Sequence, residues 1–254
     1  MALTLENLTW SEVARLNRDN SVIIIPVGSI EQHGYHMPLN IDYILPYKFA
    51  LIASEKVRDF NLIVIPPITY GCSQHYMAFP GTISLNSDTL KLLVKDVCRS
   101  LILHGFKRII ILNGHGGNFA PLQIAIRELR SELKAVIALV NWWELVADVI
   151  RKIRESKIMH HAGEVETSVA LALELRVISD KIVDFIPESF SNYYTLDLLS
   201  PPPKLMVFGW LKRSGGGGVI GEPSKASRMK GKVIVNATVS RLIDLAKRLL
   251  TIEV

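Results

Sequence analysis

Four short runs of β-branched and aliphatic residues, spaced by amphipathic stretches, limit what this chain can fold into. They are residues 22–27 (VIIIPV), 62–67 (LIVIPP), 108–113 (RIIILN) and 135–141 (AVIALVN). Each is apolar along most of its length rather than alternating, which is how strands buried on both faces read. Between them, residues 47–59, 88–103 and 120–133 carry apolar side chains at helical spacing. Pro46 precedes the first helix, Gly105 stands just past the second, and Pro121 sits in the first turn of the third. Strands alternating with helices predict a mainly parallel sheet covered on both faces. The expectation is one three-layer α/β/α domain over residues 1–254. A further helix is predicted over 167–175, and an amphipathic helix over 230–250 closes the chain. The span 184–221, with prolines at 201–203 and glycines at 215–218, reads as irregular loops and a short hairpin.

Composition removes several classes. Hydrophobic residues make up 49% of the 254, enough to bury a full core and to exclude intrinsic disorder. No apolar run approaches the ~20 residues of a membrane-spanning helix. The opening residues MALTLENLTW lack the basic and apolar blocks of a signal peptide. Cys72 and Cys98 are too few for a disulfide scaffold, and a reducing cytoplasm is expected. A net charge of +5 is too mild to imply nucleic acid but suits a small anionic substrate.

Each predicted strand runs into a cluster of polar residues: GSIEQHGYHMPLNID, YGCSQHY, NGHGGN and WWE. In open parallel sheets the carboxyl ends of the strands line the ligand crevice. Glu31 and His33 lie two apart in extended backbone and point the same way, with Asp42 near enough to fold back. Carboxylates and imidazole without thiolate suit zinc, manganese, iron or cobalt at a catalytic site. The competing reading is a turn-capping Glu31 and an exposed His33. Gly114, Gly116 and Gly117 around His115 either cradle a phosphate, make room around a metal-bound imidazole, or form a tight turn. Nucleotide-binding spacings are missing there. In HHAGEVETS, Glu164 and Glu166 cannot face the same way on a helix, so one faces the site and the other caps the helix or meets solvent.

Taken together, PVGSIEQHGYHMPLNID, FPGTISL, NGHGGN, HAGEVETS and GVIGEPSKASRMKG resemble the creatininase family of metal-dependent amidohydrolases. The resemblance implies an α/β/α fold, a two-metal site and a homo-oligomer, typically a hexamer. By motif position Glu31, His33, Asp42 and His115 match metal ligands, with Asp42 bridging, and His161 matches the proton-shuttling histidine. In creatininase proper a glutamate lies two residues past the NGH histidine, where this chain has Gly117. Glu166 is the candidate replacement, as ligand and catalytic carboxylate. That departure tilts the reading away from creatinine. Two divalent ions against three carboxylates leave about +1 to hold a hydroxide.

The implied reaction is hydrolysis of a non-peptide C–N bond in a small amide, lactam or formamide by a metal-bridging hydroxide. Zinc is the first candidate metal, with manganese or iron as alternatives. His161 acts as general acid. Gly116 and Gly117 offer backbone N–H groups to the oxyanion, and His36, His75 and Trp143 are candidate substrate contacts. Alternatives are creatinine hydrolysis, deformylation of a pyrimidine ribotide intermediate, and a non-catalytic metal-binding member. Lys212, Arg213, Lys225, Arg228, Lys230 and Lys232 either favour an anionic substrate or form a solvated basic face.

Overall fold

The computed structural model describes residues 1–132, 134–188, 194–200 and 216–254. They group into two compact units. The first comprises residues 1–31, 42–145 and 238–254, and the second residues 32–41 and 146–237.

The first unit holds a five-stranded sheet. Its strands are β1 (Leu3–Thr4), β2 (Ser21–Val27), β3 (Asn61–Val64), β4 (Arg108–Asn113) and β5 (Val136–Asn141), in the order β1-β3-β2-β4-β5. All pairings are parallel. The four runs read from the sequence are the four longer strands, and β1 adds a two-residue edge. Ile23 pairs with both Ile63 and Ile109, and Ile25 with Ile111, so these side chains share one face. That face packs on Leu90, Val94 and Cys98 of α3 (Ser87–Leu103) and on Leu122, Ala125 and Leu129 of α4 (Phe119–Glu132). The other face is covered by α2 (Ile41–Lys56) and the later turns of α8 (Arg228–Leu250). There the Ser54 hydroxyl donates to the Leu62 carbonyl at 2.7 Å, and Arg108 Nε donates to the Leu249 carbonyl at 2.9 Å. This gives the expected α/β arrangement, with helices on both faces of a parallel sheet.

Two prolines test the strand and helix readings. Pro26 lies in the central strand β2, where a proline is ordinarily excluded. Its carbonyl accepts from Ile68 at 2.9 Å, on the side where β3 has already ended at Val64, so no ladder bond is lost there. Pro46 was expected to precede a helix, yet it lies inside α2, which begins at Ile41. A proline cannot donate to the carbonyl four residues back. Here that carbonyl belongs to Asp42 and lies against Gly114, whose added Cβ would be 1.9 Å from it. Short helices also escape the sequence reading. These are α1 (Trp10–Arg15), with a Thr9–Glu12 capping box, and α5 (Trp142–Leu145).

β2 is the point from which the chain leaves first toward β3 and then, in the opposite direction, toward β4. The carboxyl ends of β2 and β4 lie side by side, with Val27 opposite Asn113. Parallel sheets place ligand sites at such a switch point.

The second unit contains α6 (Ala147–Ile153), α7 (Glu164–Ala172) and the first turns of α8. The helix predicted over 167–175 starts three residues earlier, and the predicted hairpin is reduced to single bridges, His161 with Ile220 and Phe185 with Gly221. At Gly231 a Cβ would stand 1.8 Å from the Ser168 carbonyl, so only glycine lets α8 pass α7 so closely. Pro201–Pro203, Lys212, Arg213 and Gly215 lie outside the described residues. Among the described residues, no helix is long and apolar enough to cross a membrane.

α7 ends with Glu174 in the left-handed region, at φ 58°. Leu175 N–H donates to the Ala170 carbonyl and Glu174 N–H to Leu171, the Schellman pattern that favours glycine. Glu174→Gly is expected to stabilise the protein by about 0.5–1 kcal/mol, because left-handed strain is removed against a smaller entropy cost. The lost Arg228 contact is exposed and contributes little. Thermal denaturation should show Tm rising by about 1–4 °C.

Candidate metal centre

The polar residues of the first unit gather at the carboxyl edge of the sheet. Glu31 lies in the loop leaving β2, His115 stands two residues past β4, His75 lies in the loop after β3, and Asp42 is in the first turn of α2. Glu31, Asp42 and His115 are all buried, at 0%, 3% and 5% exposure. His115 is bracketed by the two carboxylates: Nδ1 is 3.0 Å from Asp42 Oδ2, and Nε2 is 3.3 Å from Glu31 Oε2. Nε2 also lies 3.1 Å from the Cys72 carbonyl and 3.3 Å from Ser73 Oγ, and Ser73 is hydrogen-bonded to Ser29. His75 is exposed, with its ring parallel to that of His115 at 3° and a centroid separation of 5.6 Å. One donor atom from each of Glu31, His75 and His115 lies within 4.8 Å of the other two.

Glycines and asparagines build this geometry. A Cβ at Gly28 would be 2.4 Å from the Asp42 carbonyl oxygen, and one at Gly114 only 1.9 Å from it, so both strand ends must be bare for α2 to bring Asp42 in. A Cβ at Gly117 would meet the Cys72 carbonyl at 2.3 Å and His115 Nε2 at 2.6 Å, whereas nothing lies within 4 Å at Gly116. Asn113 donates to the His115 carbonyl at 2.7 Å and to Asn141 Oδ1 at 2.8 Å. Asn118 donates to the Gly28 carbonyl at 2.9 Å and accepts from Cys72 N–H at 2.9 Å. These two asparagines lock the loops after β2, β3 and β4 together.

Buried carboxylates need a positive charge between them. Burial pulls the His115 pKa down, but the charges of Glu31 and Asp42 outweigh it and push the value up to about 9. A divalent cation meets the same demand with a larger charge. Two carboxylates and an imidazole, without thiolate, are the donors that zinc, manganese or iron accept. The residues of this unit therefore fit a metal ion.

The second unit carries the other motif residues. The His33 and His161 rings are 4.4 Å apart, tilted at 45°. His161 Nε2 lies 2.7 Å from the Gln32 carbonyl and 2.9 Å from its side-chain amide nitrogen. Ala162 adopts φ 51°, unusual for a residue with a side chain, and donates its N–H to Glu166 Oε2 at 2.5 Å. The two glutamates of EVETS have separate roles. Glu164 is buried and accepts from Lys230 Nζ at 2.6 Å, Ser156 N–H at 2.6 Å and Glu155 N–H at 3.0 Å. Burial raises its pKa, but Lys230 and the neighbouring amides outweigh that and hold it below the usual range. Glu164 thus ties α7 to α8.

Other candidates lie in the interior or in the described part of the basic tail. His36, a candidate substrate contact, is fully buried, with Nε2 3.0 Å from Thr167 Oγ1. Burial, then the nearby His33 charge, pushes its pKa down to about 4, so it stays neutral. Trp143, a candidate pocket wall, is buried edge-on to Trp142 at 6.0 Å. The basic tail is largely neutralised, since Lys225 meets Glu222 at 2.6 Å, Arg228 meets Glu174 at 3.0 Å and Lys230 meets Glu155 at 2.5 Å. The described part of that tail thus gives no support to an anionic substrate, and Lys212 and Arg213 lie outside it. Ser29, Ser73 and the Cys72 carbonyl were missed in the sequence; their one signal is their place just past the ends of β2 and β3.

Comparison with known proteins matches residues 6–246 to the creatininase family model, described as creatinine amidohydrolase. The chain is 32% identical to creatinine amidohydrolase of Pseudomonas putida over 258 residues, covering 93% of each. It is 32% identical over 234 residues to mycofactocin precursor peptide peptidase of Mycolicibacterium smegmatis, covering 89% of this chain and 85% of that one. Among solved structures, a Zn–Zn form of a mutant creatininase superposes with TM-score 0.78 at 30% identity, and a manganese form with 0.77 at 29%. Both alignments cover 99% of this chain and 100% of the other.

The glycine geometry yields a paired test. Gly114→Ala should lose about 1–3 kcal/mol by overpacking against the Asp42 backbone, whereas Gly116→Ala should stay within about 0.5 kcal/mol of the parent. Urea denaturation midpoints measure both, and equal losses would refute the close approach of α2.

Proposed function

The chain belongs to the creatininase family, and we propose that it is a dinuclear metal-dependent amidohydrolase acting on a small amide other than creatinine. Glu31, His33, Asp42, His115 and Glu166 are the assigned ligands of two divalent ions, with Asp42 shared. The observation that carries this reading is the buried His115 held between Asp42 and Glu31. The choice of Glu166 is supported by two further facts. At Gly117 the Cys72 carbonyl stands where a side chain would begin, and Glu164 is already engaged by Lys230. Zinc or manganese is favoured, because related creatininases are solved with each.

When bound, the ions supply Lewis acidity and lower the pKa of water toward about 7. The chain's own groups do the rest. Gly116, with open space beside it, and Gly117 present backbone N–H groups to the substrate carbonyl oxygen. His161 delivers a proton to the departing nitrogen, and Gln32 fixes the orientation of its ring through Nε2. The creatinine alternative is disfavoured by the absence of a glutamate at position 117. The relatives include a peptide-processing enzyme, so amides larger than a lactam belong in the substrate panel. The proposal extends to a homo-oligomer, a hexamer by family resemblance, working in a reducing cytoplasm, where Cys72 and Cys98 remain buried free thiols.

Elemental analysis of purified protein should find about two transition-metal ions per chain. Asp42→Ala should lose most of that metal and all hydrolysis of a panel of formamides, lactams and short peptides. His161→Ala should keep the metal and lower kcat by about 10²–10⁴-fold, the usual worth of a general acid. Full turnover after exhaustive chelation would sink the metal mechanism.

A further inference from the structure

The loop after β3 carries a histidine that no step above requires. It is tied down on every side. Cys72 N–H donates to Asn118 Oδ1 at 2.9 Å, Ser73 N–H to Ser84 Oγ at 2.8 Å, Leu85 N–H to the Gly71 carbonyl at 2.8 Å, and Tyr76 N–H to the Ser73 carbonyl at 2.9 Å. From this anchored backbone the His75 side chain projects into an exposed position, parallel to the buried His115 ring.

We propose that His75 is an exchangeable ligand to the ion that Glu31 and His115 would hold, one that gives way when substrate arrives. The proposal rests on the metal reading given above. Its geometric ground is the mutual 4.8 Å limit among donor atoms of Glu31, His75 and His115. Donors sharing one tetrahedral ion at 2.0–2.2 Å stand about 3.3–3.6 Å apart, so a trio whose donor atoms already lie within 4.8 Å of one another needs side-chain rotation to close on an ion. Glu31 and His115 are buried and held; His75 is the exposed member, and rotation about its side-chain torsions closes the difference. Its exposure also explains exchange. A ligand on the open side can swing outward without disturbing the core, whereas loss of Glu31 from the ion would strand a buried charge. In the exchange the imidazole nitrogen would leave the ion and the substrate oxygen would take its place. No redox step or proton transfer is involved.

The experiment uses cobalt(II) as the probe, in the full chain and in His75→Ala, with affinity measured by chelator competition and coordination by visible absorption. His75→Ala should weaken one of the two ions by about 10–100-fold, leave the other unchanged, and shift the cobalt bands. Added imidazole should restore the parent bands, and a non-hydrolysed amide analogue should shift the parent spectrum toward that of His75→Ala. Circular dichroism controls for folding. Unchanged affinities and bands, with KM alone raised, would make His75 a substrate contact and overturn the proposal. Failure of the parent to bind cobalt at all would instead remove the metal reading, and this proposal with it.

Discussion

The first turn of α2 lies against two strand ends with no space for a side chain between them, and the candidate metal centre of the first unit depends on that approach. Gly28 follows β2 and Gly114 follows β4, and at both the Asp42 backbone stands where a Cβ would be. Only this contact brings the Asp42 carboxylate onto His115 Nδ1. The contact in turn requires that β2 and β4 be neighbours, which the β1-β3-β2-β4-β5 order supplies at its switch point. Sheet order, bare strand ends and the Pro46-bearing helix are parts of one geometric solution.

That solution concentrates negative charge where water is scarce. Isolated carboxylates in such a place would protonate. Here they face an imidazole whose pKa they push up to about 9, and whose two nitrogens each meet one carboxylate. The surrounding groups tune orientation more than charge: Asn113, Asn118, Ser29, Ser73 and the Cys72 carbonyl fix the loops and the ring plane. Outer hydrogen bonds of this kind commonly decide how tightly an ion is held. In the second unit the same division holds. Ala162 accepts backbone strain to donate to Glu166, while Glu164 is committed to Lys230 and serves packing.

The sequence reading succeeded where local pattern and burial coincide. Strands buried on both faces read as unbroken apolar runs, so β2, β3, β4 and β5 were legible from their residues. It misplaced the start of α2 because a proline is normally a helix boundary, and the reason it is tolerated lies 68 residues later at Gly114. It chose Glu166 over Glu164 on the resemblance alone, because the contact that engages Glu164 is with Lys230, far along the chain. The burial of His36 and Trp143, read as substrate contacts by type and position, is not something their place in the sequence reveals.

What the residues determined by themselves is the α/β class, the sheet edge at which chemistry is placed, and the motif order that identifies the family. Short-range spacing and apolar periodicity carry that information, since each depends on neighbours within a turn or a strand. The tertiary structure alone decided which carboxylate meets which nitrogen, why Gly117 bears no side chain, and that His75 stacks on His115. Those outcomes depend on backbones that approach to within a methyl group across long stretches of sequence, and no local pattern encodes such a distance.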